Sequence, residues 1–307
     1  MSIRGQRRRR FPESSPLEIS PARIIGIIFV FSGLYLSFLF SCFSQEKDAP
    51  SFHLLVKLFR KEDVSFLNQV LYPQDIVATY GIKPWLLKDL RGPQIMVTRG
   101  SLSALKKEIE KARKFSLSID YLNYNPEHWK ESHTPQEEIE DLVRAVKEAR
   151  KLAEGMGAKL SFITDHVLLE RYGERIAPLV DLFGIQMQRY QRESLGDFRQ
   201  EAIKKLCIIR KGSRSVPVFF QLSLSPPLWK TVILPGGKRK KVHLRKEGKK
   251  VTRPLGLGEI LNQIKAIRDL ADGIALIYSE ETREEMREVL RVLRKSSSFS
   301  GSDIKNQ

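Results

Sequence analysis

Two carboxylates stand just past β-prone runs, among amides, aromatics and guanidinium groups. Glu127 follows Tyr124-Asn125-Pro126, and Asp165 follows Lys159-Leu-Ser-Phe-Ile-Thr164. Two carboxyl groups flanking a glycosidic bond can hydrolyse it, about 5–5.5 Å apart for a retaining reaction and about 6.5–9.5 Å for an inverting one. Glu127 is the candidate general acid, because Pro126 and Trp129 beside it would shield it from water. Asp165 is the candidate second carboxylate. Arg99, Tyr124, Asn125, Trp129, Gln186, Gln188, Arg189, Gln221 and Tyr278 complete the set as candidate substrate-binding residues. Side-chain amides, arginine and flat aromatic faces suit a polyhydroxylated ligand.

Other chemistries find less support. His128, His133, Asp165 and His166 could converge, but the first two histidines are not paired at i, i+4 as on a zinc-binding helix, and no metal is expected. No G-x-S-x-G nucleophile elbow occurs. Gly256-Leu-Gly258 lacks the third glycine of a dinucleotide fingerprint, and nothing calls for a cofactor. Cys42 and Cys207, the two cysteines, exclude a disulfide scaffold. Cys207, in Leu206-Cys207-Ile208-Ile209, reads as a small buried apolar residue.

The elements that must position these residues alternate along the chain. Strands are expected at 94–98, 116–121, 159–164, 180–187, 216–223 and 274–278, with another candidate at 75–79. Amphipathic helices are expected over about 101–114, from a capping box at Thr134-Pro135-Gln136-Glu137 to Gly155, after His166, over about 197–208 and 258–270, and after Ser279. Near-continuous apolar strands alternating with helices mean a parallel sheet covered on both faces. The length fits a (β/α)8 barrel, complete or degenerate, with functional groups at the C-terminal ends of its strands. A doubly wound open sheet is the alternative.

The run Tyr124-Asn-Pro-Glu-His-Trp129, then Thr134-Pro135 with Glu137 and Glu138, resembles a Tyr-Asp-x-Glu-x-Trp / Thr-Pro-x-x-Glu pattern. That pattern belongs to secreted, mostly uncharacterised bacterial proteins with glycoside-hydrolase-like TIM barrels. The strand end at Thr164-Asp165 and the run Asp181 to Arg189 are similar to the same group, so the resemblance spans about 115–190. It implies a barrel and a carbohydrate ligand. Asn125 stands where the pattern has Asp, which puts that position's catalytic role in doubt here.

Residues outside the alternation carry most of the charge. Of a formal net charge of +17, residues 1–23 hold +4 and residues 230–253 hold +9. Charge confined to a tail and an insertion argues against nucleic acid, whose readers spread it along a recognition face. Residues 24–43 form a 20-residue run without a charge, long enough to cross about 30 Å of hydrocarbon. Six arginines precede it, which puts the N-terminus in the cytoplasm and the rest outside. An uncleaved signal anchor is the first expectation; a cleaved signal peptide and a lipoprotein signal ending at Cys42 are the alternatives. The insertion 229–254 has β-prone runs flanking Pro235-Gly236-Gly237 and reads as a basic hairpin. Lys238, Arg239, Lys240 and Lys241 on it could meet anionic lipid or envelope polymers, or form a solvated loop.

The expected organisation is a basic tail (1–23), a transmembrane anchor (24–43), a linker and barrel start (44–92), a barrel (93–295) carrying the hairpin, and a disordered tail (296–307). The expected function is carbohydrate binding or glycoside hydrolysis at the cell envelope. The alternative is a non-catalytic envelope-binding scaffold that uses the hairpin. A cleft with two facing carboxylates favours the enzyme; a cleft with one favours the binder.

Overall fold

A computed structural model describes residues 52–128, 134–233, 235, 239–247 and 249–295. The expected anchor at 24–43, Trp129, His133, Lys238 and the 296–307 tail lie outside the described residues. Among the described residues, no helix is long and apolar enough to cross a membrane.

Eight parallel strands close into a barrel: β1 (His53–Lys57), β2 (Ile76–Thr79), β3 (Gln94–Arg99), β4 (Tyr121–Tyr124), β5 (Lys159–Thr164), β6 (Leu182–Gln186), β7 (Val218–Ser223) and β12 (Gly273–Ile277). Neighbours in sequence are neighbours in space. β1 closes the ring by pairing with β12 on one side and β2 on the other. Around it lie α1 (Val64–Val70), α2 (Pro84–Leu87), α3 (Leu102–Lys114), α4 (Gln136–Glu140), α5 (Leu142–Glu154), α6 (His166–Ile176), α7 (Leu195–Gly212), α8 (Leu257–Ile267) and α9 (Arg283–Lys295). Between β7 and α8 project β8 (Trp229–Ile233) and β9 (Arg239–His243), paired antiparallel, and a second ribbon of β10 (Arg245–Lys246) and β11 (Lys249–Lys250).

Strand alternation splits the core in two. Outward residues such as Val56, Leu122, Phe162, Phe220 and Leu276 pack under the helices in a large cluster. Inward residues Leu55, Ile76, Ala78, Met96, Tyr121, Leu182, Phe219 and Ala275 fill the barrel. On β6 the middle inward position is Gly184. A Cβ there would lie 2.3 Å from Ile163 Cγ1 of β5, so only glycine fits.

One device repeats around the N-terminal rim. Asp75, Asp120, Asp181 and Asp272 each stand one residue before β2, β4, β6 and β12. Each carboxylate accepts a backbone N–H from the start of the preceding barrel strand: Leu54 at 2.9 Å, Ile95 at 2.7 Å, Leu160 at 2.8 Å and Val218 at 2.9 Å. Three of these carboxylates also pair with arginines of covering helices, Arg294, Arg150 and Arg210.

Two local expectations need correction. The strand expected at 116–121 lies at Tyr121–Tyr124. Ser116 has φ 50°, and Leu117 N–H bonds Ala112 O at 3.0 Å, so residues 115–117 cap α3 instead of entering the sheet. The helix expected from Thr134 to Gly155 breaks at Asp141, whose side chain accepts Arg144 N–H and starts α5 afresh.

Candidate functional site

The C-terminal mouth of the barrel holds a cavity of about 340 Å³. Its floor is Leu55, Ala78, Met96 and Ala275; its walls are the strand-end residues Lys57, Tyr80, Thr98, Asn123, Asn125, Glu127, Gln186, Gln188 and Gln221. The floor is open because Ala78, Ala275 and Gly184 supply little side-chain volume at the upper inward positions.

β4 contributes most. Asn123 points inward, and the extended chain beyond carries Asn125 and Glu127 to the same side. Asn123 is 1 % exposed; its Nδ2 donates to Thr98 Oγ1 at 3.1 Å, while its Oδ1 has no partner. Asn125 Oδ1 is likewise buried without a partner. Two unsatisfied buried acceptors cost free energy that a ligand donor would recover. Gln186 and Gln221 face each other in register across β6 and β7.

The segment carrying Glu127 is held at every residue. Asn125 N–H donates to Arg99 O at 2.8 Å, Thr164 Oγ1 donates to Pro126 O at 2.9 Å, Glu127 N–H donates to Thr134 Oγ1 at 3.1 Å, and His128 N–H donates to Asp165 Oδ2 at 3.0 Å. The Glu127 carboxylate therefore projects from a fixed backbone. Across the cavity is Lys57, the last residue of β1. Burial pushes its amine below the usual lysine range, and the Glu127 charge opposes that shift.

Asp165 is not in the cavity. It is fully buried, caps α6 by accepting Val167 N–H at 2.9 Å and Leu168 N–H at 3.2 Å, and pairs with His128 Nδ1 at 2.9 Å. It is a positioning residue for the Glu127 segment. Among the described residues, Glu127 is the one carboxylate lining the cavity and Lys57 the one cation.

Tyr124 and Tyr278 also leave the set. Both point outward under the helices: Tyr124 OH donates to Glu138 Oε2 at 2.7 Å, and Tyr278 OH to Asp63 Oδ2 at 2.7 Å. Burial and these carboxylates raise both phenols far above the usual range. Arg99 points outward as well. It pairs with buried Glu108 and lies 4.7 Å from the Tyr80 ring centroid, so it backs a cavity residue from behind. Arg189 lies beyond the rim: its Nη1 meets His166 Nε2 at 2.7 Å and its guanidinium is 5.1 Å from the Trp229 ring. Burial, then Arg189 and Lys205, push His166 down to about 4, so its neutral ring accepts from Arg189 near neutral pH.

The structure thus gathers Asn125, Glu127, Gln186, Gln188 and Gln221 at one cavity, and adds Lys57, Tyr80, Thr98 and Asn123. Lys57 carries one readable signal, a lysine ending the apolar run Leu54-Leu55-Val56. No group of three or more His, Cys, Asp or Glu able to hold a metal occurs among the described residues.

No family model matches the chain, and no curated protein matches it. Solved structures do. A GH18 chitinase from Pseudoalteromonas aurantia superposes with a TM-score of 0.50 at 11 % identity, covering 80 % of this chain and 99 % of its own. A class V chitinase from Pseudomonas fluorescens Pf-5 gives 0.45 at 11 % identity, over 79 % and 99 %. A xylose isomerase domain protein from Planctomyces limnophilus gives 0.42 at 13 % identity, over 81 % and 96 %. Such identities speak for fold and not for activity, and the fold that the Pseudoalteromonas aurantia structure shares with this chain is the closed barrel described above, a TIM barrel.

Proposed function

We propose that the barrel mouth binds a carbohydrate, and that it holds the sugar without hydrolysing it by the two-carboxylate route. The observation that carries this reading is the lining. Among the described residues, five amide side chains, two of them with buried carbonyl oxygens awaiting donors, surround a single carboxylate and a single amine. Hydroxyl groups supply the donors these amides lack, and Tyr80, 46 % exposed at the rim, offers a flat face for a sugar ring. Asp165 is occupied in capping α6 and fixing His128, so it is not available to activate water. The same barrel, following the apolar run at 24–43, would be presented outside the cytoplasm; that half of the proposal rests on sequence alone.

A single-carboxylate hydrolase is the second reading, because some glycosidases use a group of the substrate in place of the second carboxyl, and Glu127 has the fixed backbone such an acid needs. One experiment separates the two. The whole chain and Glu127→Gln are titrated calorimetrically against neutral and N-acetylated oligosaccharides, and each mixture is assayed for product. Binding without product in the wild type, weakened about tenfold or more in the variant, supports the binder, since a hydrogen bond to a charged group is worth about 1.5–3 kcal/mol. Product from the wild type alone supports the hydrolase. No binding to any sugar overturns the proposal.

A further inference from the structure

A second cavity, of about 430 Å³, lies where the hairpin leaves the barrel, and its chemistry differs from the first. Arg189, Arg192 and Arg253 line it with Trp229, Thr231 and, among the described residues, a single carboxylate, Glu193. The neighbouring residues Gln188 and Arg189 line the first and second cavities respectively, so both cavities reach the turn after β6.

Its donors are under-used. Arg192 donates from Nη2 to Arg253 O; its Nε and Nη1 are buried and have no partner. Trp229 Nε1 is also buried without a partner. Burial and the nearby Arg253 charge both act against the Arg192 cation, and Glu259 only partly offsets them. Arg253 in turn meets Glu259 at 3.8 Å across an exposed surface. The fold is therefore holding guanidinium groups together against their own repulsion, with the Nε and Nη1 donors of Arg192 left unpaired. Charged N–H donors of this kind suit carboxylate, sulfate and phosphate oxygens. The Trp229 ring is held in place beside them. It lies 3.7 Å from the ring of His243, its register partner on β9, with Arg189 over it at 5.1 Å.

We propose that this cavity is an anion subsite, and that the ligand of the barrel mouth is an acidic oligosaccharide. Its uncharged hydroxyl groups lie among the amides, and a carboxylate or sulfate ester on a neighbouring residue engages Arg192 and Arg253. The inference rests on the carbohydrate reading of the mouth and deepens it by naming the class of sugar. It assigns Arg192, Arg253 and Trp229 a binding role that the strand-end residues do not cover.

The test uses the whole chain at one ionic strength. The probes are a neutral oligosaccharide, its uronic-acid counterpart of equal length, its sulfated counterpart and inorganic sulfate. The variants are Arg192→Gln, Arg253→Gln and, as a charge-matched control on the outer face of the hairpin, Lys230→Gln. The expected result is at least tenfold tighter binding of an acidic sugar than of the neutral one. Arg253→Gln, at an exposed site that the fold does not need, and Arg192→Gln should each remove that advantage and leave neutral-sugar affinity in place. Lys230→Gln should change neither. Equal affinity for acidic and neutral sugars overturns the anion subsite and leaves the mouth reading standing. Equal losses from Arg253→Gln and Lys230→Gln overturn it too, because diffuse charge then explains the preference. Sulfate binding that depends on Arg192, with no sugar bound, overturns the carbohydrate reading and with it the acidic sugar.

Discussion

At the scale of single residues, Asp165 and Glu127 show how one residue type serves two ends. Both follow β-prone runs, and in sequence both read as strand-end carboxylates. What separates them is the next element. Asp165 is followed at once by α6 and its carboxylate goes to that helix's free N–H groups, whereas no helix starts at Glu127, whose side chain lines the cavity. A substitution Asp165→Asn should therefore cost stability, about 2–3 kcal/mol for a buried acceptor serving three backbone N–H groups and a histidine. Denaturant titration measures it; unchanged stability would return Asp165 to the catalytic candidates. His166 gives a pH dependence. Its folded-state value, about 4, lies below the ordinary 6.5, so the unfolded chain binds the extra proton first. Its contribution is fully present above pH 6.5 and declines as pH falls towards 4. The ring is partly solvated, so roughly 1–2 kcal/mol is expected after allowing for screening. Stability curves of the wild type and His166→Gln from pH 7 to 4 should converge as the pH drops; parallel curves would show that the ring titrates normally.

Elements are legible where hydrophobic period and chain punctuation agree. Lys159–Thr164 matches its sequence reading residue for residue, because an apolar run is bounded by Gly157 and by an N-cap aspartate. Ser116-Leu-Ser-Ile mimics a strand because a left-handed helix cap happens to place two apolar residues at alternate positions. β1 escapes a sequence reading because its lysine, a wall of the cavity, breaks the apolar run. The rim aspartates are visible as residues but not as a set, since their intervals differ with the length of each intervening helix and loop. Their common role appears only when the strands stand side by side. Each joins a strand start to its neighbour through a backbone N–H, and three add an arginine. Asp181→Asn and Asp272→Asn should each lower stability by about 1–3 kcal/mol, since the amide keeps the shape but weakens both the charge-assisted bond and the ion pair. Chemical denaturation of the single and double variants checks this. The two sites lie on different strand pairs and share no partner, so their effects should add; a strongly non-additive double variant would mean that the rim acts as one unit.

The barrel as a whole depends on joining its first and last strands. A barrel read as 93–295 leaves β1 and β2 in the segment 44–92, expected to hold a linker and the start of the barrel, and these two strands complete the ring. The seam between β12 and β2 is closed by β1 and locked from outside by ion pairs between the first and last helical units. Buried Asp63, which precedes α1, accepts from Arg283 at 2.6 Å and Arg287 at 3.1 Å on α9 and from Tyr278, while Asp75 holds Arg294. Breaking a buried pair by removing one partner costs about 3–5 kcal/mol, so Asp63→Ala should lower the midpoint of unfolding more than the loss of any exposed ion pair, such as Arg144 with Glu148. A fragment beginning at residue 93 tests closure itself. It would keep six strands and nearly every candidate site residue but expose two unpaired sheet edges and the apolar inner faces that β1 and β2 cover. It should bind a hydrophobic dye, melt without a sharp transition and lose the sugar, although of the cavity's described walls only Lys57 and Tyr80 are missing from it. A sharp melt at the temperature of the whole chain would show that the ring need not close for the site to form.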